Sequence, residues 1–302
     1  MGPCRAPWFP PTELLVSRAG ALAASSRRTV RARDSLSGGA YTLAKKRETS
    51  VQTPPAGERR RSMAMEYLRQ SRRPLVSLAF VLPLLALYEG GVLWLGPAAM
   101  RNGADVWLRR LLDQLGFGQY FLLPVLTVSL LLAWHHITHD RWRLPREVVL
   151  GMYVETSLLA VVLLGIGYLQ RSLAHLAIES LEPAALYASM GGSWDWAARL
   201  VGFCGAGIYE EVLFRLILVP VVVGIAAVIG LARPTRVALA VVVTSAVFSA
   251  AHYAGAHGET FEWFSFSFRF LAGAFFAVLF VYRGFGVAAG THALYDIFVG
   301  VV

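Results

Sequence analysis

An all-α protein, a polytopic bundle of membrane-spanning helices, is what this sequence predicts, and three observations carry that expectation. Hydrophobic residues fill 56% of the 302 positions and charged residues only 16%, a balance too apolar for an ordinary soluble domain. Several apolar runs reach the roughly 20 residues that a helix needs to cross a hydrocarbon core about 30 Å thick. None of them alternates as the strands of a transmembrane barrel must. Cys4 and Cys204 are too few for a disulfide framework or a thiolate metal cluster.

The first element is a basic extension, residues 1–62, with twelve Lys/Arg against four Asp/Glu. It therefore holds +8 of the formal net charge of +9 and leaves the bundle almost neutral, which excludes nucleic acid as a partner. Pro, Ser and Arg alternate there without helical periodicity, as in Glu58-Arg59-Arg60-Arg61, so the extension is expected to be disordered. An organelle transit peptide and a basic arm on anionic lipid are two readings of it. A start placed too early is the preferred one, with Met63 or Met65 as the native start.

Residues 63–196 follow as the N-terminal transmembrane helices and an interfacial helix. A first span is predicted over Pro74–Gly96, and Arg69, Arg72 and Arg73 before it place the N-terminus in the cytoplasm. Arg101–Gly118 has the pattern of an amphipathic helix lying flat at the interface, with Val106, Leu108, Leu111, Leu112 and Leu115 among Arg109, Arg110 and Asp113. Spans over Gln119–Trp134 and Val148–Leu169 flank a turn made cytoplasmic by Arg141, Arg143 and Arg146. The acidic, breaker-rich segment with Glu179, Glu182, Pro183, Gly191, Gly192 and Asp195 reads as a non-cytoplasmic connection or a lid.

Residues 197–302 form the third region. Ala197–Leu231 is largely apolar and longer than one span requires, with Pro220 and Gly224 as break points between one bent helix and two elements. Spans over Val237–Tyr253, Trp263–Tyr282 and Phe285–Val301 complete seven crossings, or eight if the long run is split. Seven is preferred, because Arg233, Arg236 and Arg283 then share the cytoplasmic side.

Ionisable residues inside these last spans need a reason, since each charge at mid-bilayer costs about 2.5 to 3.5 kcal/mol on insertion scales. Tyr209-Glu210-Glu211-Val212-Leu213-Phe214-Arg215 sets two carboxylates and a guanidinium in an apolar stretch. Glu211 and Arg215, four apart, share a face and can pair. Glu210, rotated about 100°, needs a proton, a metal or a histidine. His252 ends the next span, and His292 shares a face with Asp296 in the last. A carboxylate base with converging imidazoles can activate water, with or without a divalent ion, and Asp296 can ligate or orient His292.

In this order, Glu-Glu-x-x-x-Arg, Phe-x-x-x-His and His-x-x-x-Asp in successive apolar spans resemble the CPBP family, the CAAX-processing and bacteriocin-processing (Abi) intramembrane metalloproteases. The resemblance covers about residues 200–300. It implies hydrolysis of a peptide bond in a membrane-anchored protein or peptide, with Glu210 as the water-activating base and Glu211 and Arg215 completing its motif. It implies site histidines at His252 and His292 and an Asn/Asp position at Asp296, with Zn2+ held by His252, His292 and Asp296. A bacterial inner (plasma) membrane is the default location.

Two other classes use the same residues. An ion- or proton-coupled transporter would relay protons along a continuous polar path, and a non-catalytic immunity or partner protein would keep its function without Glu210. Elsewhere, His135, His136 and His139 read as interfacial histidines rather than ligands, because the His-Glu-x-x-His pattern and its base are missing. Glu89 and Glu155 are single charges expected to face the interior. Arg269, inside the aromatic run Phe261–Phe270, has no role in the sequence alone.

Overall fold

Helix follows helix along the chain, each long apolar run becoming a rod that presents leucine and valine outward. The computed structural model describes residues 56–96, 99, 101–118, 120–177, 195–255 and 258–301, and among them there is no strand. The basic tail up to residue 55, with Cys4, and the acidic connection with Glu179, Glu182, Pro183, Gly191 and Gly192 lie outside the described residues.

The elements are α1 (Ala56–Ser71), α2 (Pro74–Leu95), α3 (Gly103–Gln114), α4 (Leu122–Ile137) and α5 (Arg146–Ala177). They continue with α6 (Asp195–Gly205), a π-helical segment (Ala206–Leu218) and α7 (Val219–Val228). Last come α8 (Arg233–Ala251), α9 (Trp263–Arg283) and α10 (Phe285–Val301). Five stretches are long and apolar enough to cross a membrane, and α4 is a shorter apolar helix of 16 residues. Together with α10, of 17 residues, α4 falls short of that length, so five of the seven expected crossings meet it among the described residues.

Two differences from expectation have local causes. Glu58 to Arg61, expected in the disordered segment, lie in α1, where Glu58 meets the positive N-terminal end of the helix dipole and Arg69 the negative end. The long run stays in one piece, as the preferred count of seven requires: Trp196–Val228 is one rod of 33 residues. Its centre widens to π geometry and returns to α at Val219, beside Pro220, which has no N–H to donate to the preceding turn. The amphipathic helix α3 does not simply lie flat, because its first turn is drawn into the bundle, with Asp105 fully buried.

Residues 64–302 form one compact unit. Its outer faces carry exposed apolar side chains such as Leu82, Val154, Leu158, Val161, Ile225 and Val242, while Ser77, Thr156, Glu211, Arg215, Ser245 and His292 are buried. Apolar outside and polar inside is the pattern of a protein solvated by lipid tails.

α10 is the central rod, packed against α2, α5, α6, α9 and the π-helical segment. Its inward residues are small, with Ala288, Ala289 and Ala293 fully buried. Small residues let helix backbones approach, which is how helices associate where lipid supplies no hydrophobic drive. The closest approach is at Gly207, where a Cβ would stand 2.6 Å from Ala293 Cβ and 2.8 Å from the Ala289 carbonyl oxygen. Gly284, at φ +90°, turns the chain so sharply that α10 begins one residue after α9 ends.

One end of the bundle gathers the arginines that charge bias assigns to the cytoplasm. Arg283 holds Glu155 at 2.6 and 2.7 Å and reaches Ser71 at 3.0 Å, while the Tyr67 hydroxyl donates to the same glutamate at 2.6 Å. Arg73 lies 3.8 Å from Asp140.

The contact at Gly207 generates a test of this packing. Gly207→Ala is expected to cost about 1 to 3 kcal/mol, since backbone rather than a flexible side chain must yield. It should lower the melting midpoint of detergent-solubilised protein by several degrees. Gly165→Ala, with nothing near its Cβ, should leave the midpoint unchanged.

Candidate active site

The π-helical segment carries Glu210, Glu211 and Arg215 into the interior, where Glu211 is fully buried and Arg215 1% exposed. In π geometry each backbone hydrogen bond spans one residue more than in an α-helix, and such stretches recur at functional sites. The segment packs against α3, α6, α8 and α10, so side chains from four directions can reach its carboxylates.

Glu211 is the hub. Its Oε1 pairs with Arg215 Nη1 at 3.0 Å and accepts from His292 Nδ1 at 2.8 Å. Arg215 Nη2 also donates to the Gly273 carbonyl at 3.2 Å. The faces of the guanidinium are covered by rings, with Cζ 4.4 Å from the centroid of Phe248 and 5.4 Å from that of Phe276. A delocalised, planar cation tolerates such a lining, because the ring quadrupoles replace part of its lost hydration.

His292 is held on every side. Phe276 stacks on its ring at 4.4 Å and 15°, and Phe248 meets it edge-on at 5.9 Å. A carboxylate can only accept, so Nδ1 carries the proton in the bond to Glu211 and the tautomer is assigned by that partner. Nε2 then points at two further carboxylates, Asp296 Oδ2 at 3.6 Å and Glu210 Oε2 at 3.8 Å. Both separations are too long for direct hydrogen bonds.

Glu210 differs from its neighbour in its partners. Oε1 accepts a hydrogen bond from Asn102 Nδ2 at 2.7 Å, whereas Oε2 has no hydrogen-bond partner and faces His292. Glu210, Glu211, Arg215, His292 and Asp296 are thus brought together, as the sequence motifs anticipate. His252 is not joined to them by a hydrogen bond or ion pair. It caps α8, and its Nδ1 donates to the Phe248 carbonyl at 2.9 Å, with Phe248 standing edge-on to both histidine rings.

Zinc would require three donors converging at about 2.0 to 2.2 Å. Among the described residues, no three His, Cys, Asp or Glu side chains are arranged to hold a metal ion. His252 is bonded to the Phe248 carbonyl, and His292 Nδ1 is taken by Glu211. The donors as placed do not fit the ion.

Four further side chains acquire partners that sequence reasoning did not assign. Glu89 accepts from Arg109 at 3.1 Å and from the Tyr209 hydroxyl. Glu155 belongs to the Arg283 cluster at the end of the bundle. Arg269 pairs with Glu259 at 2.6 Å and lies over Tyr253 at 5.5 Å. His135, expected to reach the interface, is instead fully buried with its ring edge-on to Trp142 at 4.6 Å. That indole covers the route a snorkelling imidazole would take.

Two site residues were missed altogether. Asn102 lies 108 positions from Glu210, and its only sequence signal is an N-cap residue placed just before an amphipathic run. Phe276 was one aromatic among many in an apolar span.

No curated protein and no solved structure matches the chain. The segment that carries all seven motif residues does match a family model: residues 192–298 match the one described as type II CAAX prenyl endopeptidase Rce1-like, in agreement with the CAAX-protease resemblance of the three motifs.

Proposed function

We propose that this protein is an intramembrane endopeptidase that cuts a membrane-anchored protein or peptide, with Glu210 as the base that activates water. The observation that carries this reading is the contrast between two adjacent carboxylates. Each keeps one oxygen without a hydrogen-bond partner, but Glu211 is held on its other oxygen by Arg215 and His292 Nδ1, whereas the free oxygen of Glu210 is aimed at the ring nitrogen of His292 left open. A base must have a free lone pair within reach of the proton it takes, and Glu210 Oε2 meets that requirement. The match of residues 192–298 to a prenyl endopeptidase family supports the same reaction class.

In the reaction, a water between Glu210 and His292 loses a proton to Glu210 Oε2 as its oxygen adds to the scissile carbonyl carbon. The carbonyl oxygen becomes an oxyanion, which His292, entering the reaction doubly protonated with Nδ1–H on Glu211, stabilises through its Nε2–H. Collapse restores the carbonyl, breaks the C–N bond and returns the proton from Glu210 to the leaving amine. Glu211 fixes the tautomer and tilt of His292, as the carboxylate does in a Ser-His-Asp triad. Arg215, 3.0 Å away, holds Glu211 in place. The location proposed is a bacterial plasma membrane.

The experiment is cleavage of quenched fluorescent, membrane-anchored peptides, farnesylated at a C-terminal CAAX cysteine or carrying a transmembrane anchor, by the purified full chain in detergent. Wild type is expected to cut at least one set, while Glu210→Gln and His292→Ala lose about 10²- to 10⁴-fold in kcat with unchanged folding. A Glu210→Gln variant as active as wild type overturns the mechanism. The same assay with a chelator settles the metal: loss of cleavage that added zinc restores would bring zinc into the reaction.

Arg215→Lys is expected to fail as a conservative change, since an ammonium cannot both bridge to Gly273 and lie flat between Phe248 and Phe276. Leaving Glu211 poorly matched should lower the melting midpoint and cut kcat about tenfold or more. Circular dichroism melts and the same peptide assay read both effects.

A further inference from the structure

We infer that Asn102, at the start of α3, is the positioning residue for Glu210: its side-chain amide holds one oxygen of the base and leaves the other turned to water. This rests on the reading that Glu210 activates water, and it adds a part to the site from the N-terminal half of the chain, outside residues 192–298.

The amide has two ends, and each has one partner. Asn102 is the N-cap of α3, with extended backbone at φ −62° and ψ 145°, and its Oδ1 accepts from the Ala104 backbone N–H at 2.8 Å. That bond decides which way the amide faces, because the oxygen end is taken by the helix. Nδ2 is therefore presented outward, and it meets Glu210 Oε1 at 2.7 Å. A donor on Oε1 fixes the plane of the carboxylate. Only Oε2 remains to take a proton, and it is buried, unpartnered and directed at His292 Nε2. A neutral amide orients the base without exchanging a proton with it, which a lysine or an acid in its place would do.

The donor is itself anchored. Asp105, three residues on and fully buried, accepts from Tyr88 at 2.9 Å, Arg101 at 3.0 Å and Arg109 at 2.6 Å. Arg109 continues to Glu89, 3.1 Å away on α2, and to the Tyr120 carbonyl. Tyr209, the residue before Glu210, donates to the same Glu89. The base is thus gripped at two points by one polar network: through its chain neighbour Tyr209, and through Asn102 at its carboxylate. So many bonds on one short helix explain why the first turn of α3 leaves the surface and enters the bundle.

The test separates positioning from helix capping. Asn102→Ser keeps a side-chain oxygen that can cap α3, while its hydroxyl is too short to reach Glu210 as the amide does, so the bond to the base is lost. With the full chain and the peptide probes named above, this variant is expected to lose about tenfold to hundredfold in kcat. KM should stay within about twofold and the melting midpoint close to that of wild type. Asn102→Ser combined with Glu210→Gln should lose no more than Glu210→Gln alone, since the two act as a unit. Full kcat in Asn102→Ser, with Glu210→Gln inactive, overturns the role of Asn102 and leaves that of Glu210 intact. A loss that follows the melting midpoint also overturns it, in favour of a structural cap. Glu210→Gln as active as wild type overturns both.

Discussion

Glu211 is ion-paired with Arg215 and accepts from His292 in a space that excludes water, and the arrangement around it follows from holding that carboxylate between the two. A lone charge at this depth would cost several kcal/mol, and removing one member of a buried pair typically costs about 3 to 5 kcal/mol because the other is left exposed to low dielectric. The cation must therefore be caged, which is the part played by Phe248 and Phe276. The imidazole must come close, which requires α10 to press against the π-helical segment. That in turn requires glycine at 207 and alanine at 289 and 293. An electrostatic demand at one atom is thus expressed as a pattern of small residues two helices wide.

Two carboxylates adjacent in sequence come to differ through their neighbours. Glu211 has a cation and an imidazole; Glu210 has a neutral amide on one oxygen and none on the other. Environments that separate paired acids are how one site obtains a fixed charge and a working base from the same residue type. Widening of the helix to π geometry over both residues lets each look toward a different wall, α10 for Glu211 and the α3 end for Glu210. Phe248 serves three neighbours at once: it covers Arg215, flanks His292 and offers its carbonyl to His252.

Much of the fold was legible because membrane helices are written in run length and charge bias, both local in sequence. α2, α9 and α10 begin and end close to where Pro74–Gly96, Trp263–Tyr282 and Phe285–Val301 were expected, while α8 starts at Arg233, four residues before the expected Val237. The i, i+4 pair Glu211–Arg215 was legible for the same reason. Pro220 left one bent helix and two elements both open, since a proline in lipid can be accommodated by a local change of helix type rather than a break. His135 misled because an exposed route was assumed and Trp142, seven residues on, fills it. Asn102 was out of reach: the bond from residue 102 to residue 210 depends on how α3 docks, and no periodicity encodes a docking angle. The meeting of His252 with the other site residues was expected from motif order, yet order in sequence says nothing about which side of Phe248 the ring lies on.

The contact of Gly207 with Ala289 and Ala293 has a mechanical consequence. It lies within four residues of Glu210 and Glu211 on one rod and on either side of His292 on the other. The same two rods meet again where Gly300 lies against Phe203, so the contact is a seam and not a pivot, and neither rod can tilt on the other without opening it. Glycine at both places thus sets how far Glu210 and Glu211 stand from His292, the fixed spacing that a buried hydrolytic centre needs.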